Sequence, residues 1–250
     1  MDKRKGGRAP GAARQPGGGQ PMGGHPGGGV RREAVSLRTA AGRTVASQRW
    51  LARQLNDPYV AAARAQGWRS RAAFKLIELD ERFHLLRRGL RVLDLGAAPG
   101  GWTQVALRRG VGQVVGLDLL AMDPIPGATL IEGDFLDPEM PARLEAALGG
   151  PPDLVLSDMA PNTTGHAATD HLRIIGLTET ALQFATEVLA PGGAFVAKVF
   201  QGGSERAMLT AMKQSFASVR HAKPPASRKE SSELYVIAQG FRRAGTAADD

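Results

Sequence analysis

The chain has 250 residues, enough for one domain with a full hydrophobic core, and it contains no cysteine. The composition therefore excludes disulfides, thiolate catalysis and cysteine-ligated metal centres, and no apolar run in the sequence is long enough to span a membrane. Residues 1–49 hold ten of the 32 lysines and arginines but only two of the 24 acids, so their net charge of +8 equals that of the whole chain. Because residues 50–250 are neutral overall, an anionic partner is expected to be attracted mainly by the N-terminal part.

The N-terminal segment, residues 1–44, is predicted to be disordered because glycine, proline and arginine dominate it. Two interpretations of this basic tail stay open: a non-specific RNA-binding arm, or a solubilising extension without a specific role. The tail lacks the apolar region of a secretory signal, which together with the absence of cysteine suits a cytoplasmic protein. Residues 45–243 are predicted to form one domain and residues 244–250 a short flexible C-terminus.

Two stretches before the first predicted strand are expected to be mainly helical. Residues 44–55 form a helix or an extended segment. Residues 58–88 are largely helical, and their second half carries apolar side chains at helical spacing. Ser70 precedes that half and is the predicted N-cap of its helix.

From residue 91 onwards, apolar strand patterns alternate with helical ones. The predicted strands are RVLDLG, QVVGLDLL, ATLIEGDF, DLVLSDMAP, AFVAKVF, SVRHAKP and ELYVIAQG. Helices are predicted over residues 103–109, 169–189 and 204–216. This alternation predicts an α/β fold with a doubly wound, mostly parallel seven-stranded sheet, and the close spacing of the last two strands allows one antiparallel strand.

The stretch RVLDLGAAPGGWT, residues 91–103, is typical of a strand, a glycine-rich turn and the start of a helix. Gly96, Gly100 and Gly101 allow a sharp turn and a close approach of the backbone to a ligand. The spacing matches neither GxGxxG nor a P-loop, so a nucleotide phosphate is not the expected ligand. The pattern resembles motif I of class I S-adenosylmethionine-dependent methyltransferases. This resemblance implies a Rossmann-like fold and a loop that holds the methionine end of the cofactor, with Trp102 either touching the cofactor or only packing.

Three acids follow successive strands at the edge where doubly wound sheets bind their ligands. Asp118 ends the second strand, where an acid can accept hydrogen bonds from ribose hydroxyls. Asp134 can accept from an adenine amino group, with Phe135 flanking the ring, and Asp158 follows the fourth strand. We predict that these four residues and the glycine-rich turn bind S-adenosylmethionine, and that Asp94 braces the turn.

Lys198 interrupts the apolar strand AFVAKVF, where a lysine is costly unless it is paired or its pKa is shifted. Lys75 lies in a basic helix with one apolar face, and Glu233 opens the last strand. Together with Asp158 they match the Lys-Asp-Lys-Glu tetrad of RNA 2′-O-methyltransferases. The flanking text RSRAAFKL, DLGAAPGGW, SDMAPN, FVAKVFQG and SSELY is close as well. Over residues 45–240 the chain resembles the RlmE (FtsJ/RrmJ) family of 23S ribosomal RNA uridine 2′-O-methyltransferases, and the long N-terminal tail departs from that pattern.

The resemblance implies transfer of a methyl group from S-adenosylmethionine to the ribose 2′-hydroxyl of a uridine in 23S rRNA, within the large ribosomal subunit or a precursor. It implies that Lys198 acts as the base, or else only orients the hydroxyl and stabilises the developing alkoxide. Asp158 would position Lys198 and sit close to the methyl donor, while Lys75 and Glu233 complete the network and hold the ribose. No metal, membrane contact or obligate protein partner is implied, and the five histidines lack metal-ligand spacing.

Two basic groups are expected to flank the acceptor side and to form a groove for RNA phosphates, the alternative being ordinary solvated surfaces. Those before the glycine-rich turn are Arg64, Arg69, Arg71, Arg82, Arg87 and Arg88. Those before Glu233 are Arg220, His221, Lys223, Arg228 and Lys229.

Three other functions are compatible with the same sequence. The fold and tetrad could methylate another RNA such as tRNA, or the fold could serve a non-catalytic RNA-binding or ribosome-assembly protein. Methylation of a small molecule is the third, and it would not need the basic groups.

Overall fold

A seven-stranded sheet runs through the part of the chain that the computed structural model describes, which is residues 45–160, 166–200 and 206–243. Its strands are β1 (Arg91–Leu95), β2 (Gln113–Asp118), β3 (Ala128–Glu132), β4 (Leu154–Ser157), β5 (Ala194–Phe200), β6 (Phe216–Ala222) and β7 (Glu233–Phe241). They are ordered β3-β2-β1-β4-β5-β7-β6, and β7 alone in this sheet runs antiparallel to its neighbours β5 and β6. The predicted sheet and its antiparallel strand are confirmed. The predictions for residues 1–44 and 244–250 lie outside the described residues.

The described helices are α1 (Val45–Asn56), α2 (Pro58–Ala65), α3 (Ala72–Phe83), α4 (Gly101–Arg108), α5 (Met140–Leu148), α6 (Ala167–Val188) and α7 (Arg206–Ser215). In the segment predicted at residues 44–55 to be a helix or extended, the described residues 45–55 are helical. The sequence analysis predicts no helix where α5 lies. Pro141, a residue that signals a loop, sits in the first turn of α5, where no N–H needs an intrahelical partner. None of these helices is long and apolar enough to cross a membrane.

Ser70 is not the N-cap of α3, so that prediction is wrong. Arg71 precedes the helix with helical backbone angles (φ −61°, ψ −21°) and makes no side-chain capping bond. The carbonyl of Ser70 accepts a bond from the N–H of Ala73, and its hydroxyl lies against Gly101 without a hydrogen-bond partner in the described structure. The chain already turns at Ser70, which places the hydroxyl beside α4 instead of over the first turn of α3.

The central strands are apolar because helices cover the sheet, as is usual for parallel strands. Leu93 and Leu95 of β1, Val155 of β4 and Phe195 of β5 are all fully buried in one continuous core. Met140 of α5 belongs to the same core and is also fully buried. This packing holds the strand ends, and the loops that follow them, in fixed positions.

One edge of the sheet collects the chemistry-bearing residues. Ser157 of β4 pairs with Ala197 of β5, so the next residues, Asp158 and Lys198, lie at the same level on neighbouring strands. Because β7 is antiparallel, its first residue, Glu233, lies at this edge too. The topology therefore brings together residues that are far apart in sequence.

Candidate active site

The four charged residues of the predicted tetrad form one connected network. Lys75 comes from α3, Asp158 follows β4, Lys198 lies in β5 and Glu233 opens β7. Lys198 Nζ lies 2.9 Å from Asp158 Oδ1, and Lys75 Nζ lies 2.7 Å from Glu233 Oε1 and 4.0 Å from Asp158 Oδ2. The structure brings all four side chains together, and their catalytic roles stay a prediction.

Lys198 is held by two oxygen atoms of a single residue. Its Nζ donates to the Asp158 carboxylate at 2.9 Å and to the backbone carbonyl of Asp158 at 2.6 Å. The Thr178 hydroxyl of α6 carries one proton and lies 2.8 Å from the carbonyl of Ile174 and 3.1 Å from that of Lys198. The lysine side chain is only 9% exposed, so this pairing offsets the cost of burying its charge.

Tyr235 links the two halves of the tetrad, and the sequence analysis assigns it no role. Its hydroxyl lies 2.7 Å from Asp158 Oδ1 and 3.2 Å from Glu233 Oε1, and it accepts from Lys75 Nζ at 3.0 Å. A hydroxyl carries one proton, so at any moment it donates to one of the two carboxylates. Glu233 and Tyr235 are two residues apart on a strand and share a face, and that alternation is the signal that could have identified the tyrosine.

A loop before β7 fixes the carboxylate of Glu233. Ser227 Oγ donates to Glu233 Oε1 at 2.9 Å, and the N–H of Glu233 donates to Ser231 Oγ at 3.2 Å. The loop is itself tied to α3, because the N–H of Ala226 donates to the Glu78 carboxylate at 2.7 Å. The sequence analysis did not identify these supporting residues, because serines in a loop show neither the helical nor the strand periodicity of apolar residues.

The charges in this network shift two pKa values in opposite directions. Burial alone would raise the pKa of Asp158, but the positive charges of Lys198 and Lys75 outweigh burial and lower it below its usual value. Burial raises the pKa of Tyr235 well above its usual range, and the negative charges of Asp158 and Glu233 raise it further. Asp158 is therefore a carboxylate and Tyr235 a neutral hydroxyl at neutral pH.

The glycine loop, residues 96–100, depends on two glycines with left-handed backbone angles. Gly96 has φ +77°, and a Cβ there would lie 2.8 Å from the backbone of Met159. Gly100 has φ +105°, and a Cβ there would lie 2.5 Å from the side chain of Ile125. Gly101 begins α4 with a similarly close approach to Ser70. The glycines thus let the loop pack tightly on its neighbours, and their contact with a cofactor stays a prediction.

Asp118 is the last residue of β2, and Asp134 lies two residues beyond the end of β3. Asp118 Oδ2 accepts from the N–H of Ala98 in the glycine loop, and its Oδ1 accepts from the N–H of Leu120 in the β2–β3 loop, residues 119–127, both at 2.9 Å. Asp134 Oδ1 accepts from the N–H of Leu136, also at 2.9 Å. Each acid therefore holds its loop while its carboxylate stays at the carboxyl edge of the sheet.

Two aromatic side chains of the predicted cofactor site are packed in the interior. Trp102 is 3% exposed, donates from Nε1 to the carbonyl of Ala72 at 2.8 Å, and has its ring 5.6 Å from that of Tyr235. Phe135 is 8% exposed and meets Phe184 edge-on. For the Trp102 side chain, these contacts favour packing over the alternative of cofactor contact. A contact between Phe135 and adenine stays a prediction.

Asp94 is a fully buried acid at the end of β1. Its Oδ2 accepts from the hydroxyl of Thr103 in α4 at 2.7 Å, which agrees with the predicted bracing role. Its Oδ1 is buried without a hydrogen-bond partner in the described structure. Burial raises the pKa of Asp94 to about 7, although the Thr103 bond acts in the opposite direction.

Comparison with known proteins identifies the family. The model of FtsJ-like methyltransferases matches residues 68–241. The chain belongs to the FtsJ-like methyltransferase family. Two proteins named ribosomal RNA large subunit methyltransferase E are each 74% identical to it. The protein of Gluconobacter oxydans aligns over 85% of this chain and 80% of its own length, and that of Granulibacter bethesdensis over 86% and 94%.

The fold of this FtsJ-like methyltransferase also matches a solved structure. A crystal structure described as that of a ribosomal RNA methyltransferase from Plasmodium falciparum gives a TM-score of 0.63 at 31% identity, and the match covers 70% of this chain and 98% of that one. The motif-based resemblance is therefore confirmed, and this chain is a methyltransferase of the class I fold.

In this methyltransferase, the predicted basic groove does not include all of its expected members. Arg87 and Arg88 lie in the segment that leads into β1 at its amino end, opposite the edge that carries the tetrad, so their assignment to the acceptor side is wrong. The two arginines are close to the glycine loop in sequence, but β1 separates them from it, so they lie at the opposite end of that strand. Arg71 pairs with Asp57 at 3.2 Å and donates to the carbonyl of Ala226. Phosphate contact by the remaining basic residues stays a prediction.

Proposed function

We propose that this chain transfers a methyl group from S-adenosylmethionine to the ribose 2′-hydroxyl of a uridine in 23S rRNA, within the large ribosomal subunit or a precursor in the cytoplasm. The observation that carries the proposal is the buried Lys198–Asp158 pair, which lies at the same carboxyl edge of the sheet as the glycine loop and Asp118. The names of the relatives that are 74% identical support rRNA of the large subunit as substrate.

The residues at this edge fit S-adenosylmethionine in their chemistry. A carboxylate has about four acceptor sites, so Asp118 and Asp134 can accept ribose hydroxyls and an adenine amino group in addition to the backbone N–H groups they hold. Apolar surface for an adenine ring is available beside them, on the exposed side chains Leu119, Leu120 and Leu136. The glycine loop and Asp158 would hold the methionine end.

The bound cofactor supplies an electrophilic methyl group, whose carbon–sulfur bond breaks as a bond to the ribose oxygen forms. Lys198, in its neutral form, takes the proton of the 2′-hydroxyl as that oxygen attacks. Its contacts with Asp158 fix the position of Nζ, which lowers the entropic cost of aligning Nζ with the hydroxyl. To act as the base, Lys198 must first release the proton of its ammonium form.

A second role for Lys198 uses the same position. As an ammonium it would donate to the 2′-oxygen and stabilise the alkoxide that develops as the hydroxyl proton passes to water. The pH dependence of single-turnover methyl transfer separates the two roles. A base requires a rate that rises as the lysine loses its proton, whereas an ammonium donor requires a rate that falls.

The other tetrad members act on the position of Asp158 and of the ribose. Lys75 offsets the negative charges of Asp158 and Glu233, and the Tyr235 hydroxyl fixes Asp158 Oδ1. The Glu233 carboxylate, held by Ser227, lies where it can accept from a ribose hydroxyl. These groups hold their partners in fixed directions before substrate arrives.

The substrate class is tested with methyl-labelled S-adenosylmethionine and three acceptors: large ribosomal subunits lacking the modification, free rRNA and tRNA. We expect label in the large-subunit rRNA, and none in tRNA. Label in tRNA alone would show that tRNA is the substrate, and the proposed methyl transfer would otherwise stand. Label in none of the RNAs would reject the proposal in favour of a small-molecule substrate or a non-catalytic role.

A further inference from the structure

The side chain of Arg69 connects two loops of the proposed cofactor site. Its Nη1 donates to the carbonyl of Pro99 in the glycine loop at 3.3 Å and to that of Asp123 in the β2–β3 loop at 2.7 Å. Its Nη2 donates to the carbonyl of Pro124 in the β2–β3 loop at 2.8 Å. One guanidinium therefore holds the loop that follows β1 against the loop that follows β2.

The backbone and the side-chain stem of Arg69 are also held in place. Its N–H donates to Gln104 Oε1 of α4 at 2.8 Å, and Gln104 Nε2 donates to the carbonyl of Gly67 at 3.3 Å. A Cβ on Gly100 would lie 3.3 Å from both Cδ and Nη1 of Arg69, so the arginine stem packs on the glycine loop. The side chain is half-buried, with its polar atoms directed at protein carbonyls.

We propose that Arg69 is a positioning residue for the cofactor, a clamp between the glycine loop and the β2–β3 loop, and not a phosphate contact in an RNA groove. The inference rests on the proposed function, because it takes these two loops as the S-adenosylmethionine site. It also corrects the sequence-based placement of Arg69 among the RNA-binding arginines.

The choice of arginine follows from the geometry of its partners. A guanidinium presents several N–H groups in a rigid plane and can reach carbonyls on both loops at once, whereas a lysine offers a single nitrogen on a flexible stem. The Ala98–Asp118 bond joins the same loops at a second point. Two loops fixed before binding lose less conformational freedom when the cofactor enters, which increases affinity.

The test compares Arg69→Lys with Arg64→Lys, a matched control at an exposed arginine of the same predicted basic group. Calorimetry measures the affinity of each purified full-length protein for S-adenosylhomocysteine, and filter binding measures its affinity for unmodified large-subunit rRNA. We expect R69K to bind S-adenosylhomocysteine about tenfold more weakly, the equivalent of one or two lost hydrogen bonds, with unchanged RNA affinity. R64K should bind S-adenosylhomocysteine like the wild type.

Unchanged S-adenosylhomocysteine affinity in R69K would overturn the inference, and so would a loss of RNA affinity as large as the loss of S-adenosylhomocysteine affinity. Failure of the wild-type protein to bind S-adenosylhomocysteine would instead refute the proposed cofactor, so the two failures are distinguishable. If R69K does not fold, the inference is tested with Gln104→Met in the same calorimetric measurement. That variant removes the acceptor of the Arg69 N–H, keeps the guanidinium, and should weaken S-adenosylhomocysteine binding in the same direction.

Discussion

Lys198 Nζ donates both to the carboxylate of Asp158, at 2.9 Å, and to the backbone carbonyl of the same residue, at 2.6 Å. Two contacts to one residue restrict the ammonium more than one ion pair would, because the carbonyl is part of the chain leaving β4. These contacts tie the position of Nζ to the residue that follows β4. This relationship supports the proposal that Lys198 acts on the acceptor hydroxyl.

Replacing Lys198 by Met should remove methyl transfer and leave cofactor binding intact. The group that handles the proton is lost, and general acid–base groups contribute about 10² to 10⁴ in rate. Single-turnover transfer from labelled S-adenosylmethionine measures the rate, and calorimetry with S-adenosylhomocysteine measures binding. Lys213→Met, at an exposed lysine in the last turn of α7, is the matched control and should keep wild-type activity. Near-normal activity in K198M would remove Lys198 from the mechanism.

Tyr235→Phe should slow methyl transfer about tenfold while S-adenosylhomocysteine affinity changes less than about twofold, since one hydrogen bond that orients Asp158 is lost. The ring stays, so the packing against Trp102 is kept. Because Asp158 Oδ1 retains its bond from Lys198, the variant should fold. The rate constant at saturating RNA is the decisive measurement, and an unchanged value would show that the hydroxyl serves stability only.

Trp102→Phe should destabilise the protein without weakening cofactor binding. The indole N–H that bonds the carbonyl of Ala72 is lost, and so is part of a residue that is only 3% exposed, at a cost of about 1–3 kcal/mol. Urea unfolding gives the stability change, and calorimetry with S-adenosylhomocysteine gives the affinity. Loss of affinity with unchanged stability would mean that the indole touches the cofactor instead of only packing.

Asp94→Asn should change how stability depends on pH. The pKa of Asp94 is raised to about 7 in the folded protein, against about 3.9 in the unfolded chain. The wild-type unfolded state releases this proton first as pH rises, so wild-type stability relative to D94N should fall by about 1.4 kcal/mol per pH unit between pH 5 and 7. Above the folded pKa the difference should level off.

Urea unfolding of both proteins from pH 5 to 8 measures this slope for Asp94. Asp137→Asn, at an exposed aspartate, is the control for replacing a carboxylate by an amide at the surface. A wild-type to D94N difference that is constant with pH would contradict the raised pKa.

The parts of the fold that follow from local pattern were predictable. The strand AFVAKVF is confirmed residue for residue as β5. It was predictable because an apolar run between a Pro-Gly-Gly turn and a polar segment is typical of a buried strand. The lysine inside this strand indicated only that a partner was needed, and the other tetrad members followed from the resemblance to the RlmE family. Ser70 shows the limit of this reasoning, since capping depends on where the backbone turns and not only on residue type.

Side-chain partners set by tertiary contacts were not predictable from the sequence. Strand alternation places Tyr235 on the same face as Glu233, but the other partners of its hydroxyl lie 77 and 160 residues away in the chain and are set by the fold. The charge of Arg69 and Arg71 predicts an anionic partner, but both donate to backbone carbonyls of the protein itself. The charge of a side chain does not reveal where the side chain points. The fold determines which charged groups contact the protein itself and which remain available to a ligand.

The central claim is tested most directly by identifying the methylated nucleoside. Large ribosomal subunits lacking the modification are incubated with the protein and labelled S-adenosylmethionine, and their 23S rRNA is digested to nucleosides and analysed by mass spectrometry. The account predicts label in 2′-O-methyluridine with the wild-type protein and none with K198M. Label on a base, or equal ribose methylation by K198M, would contradict it.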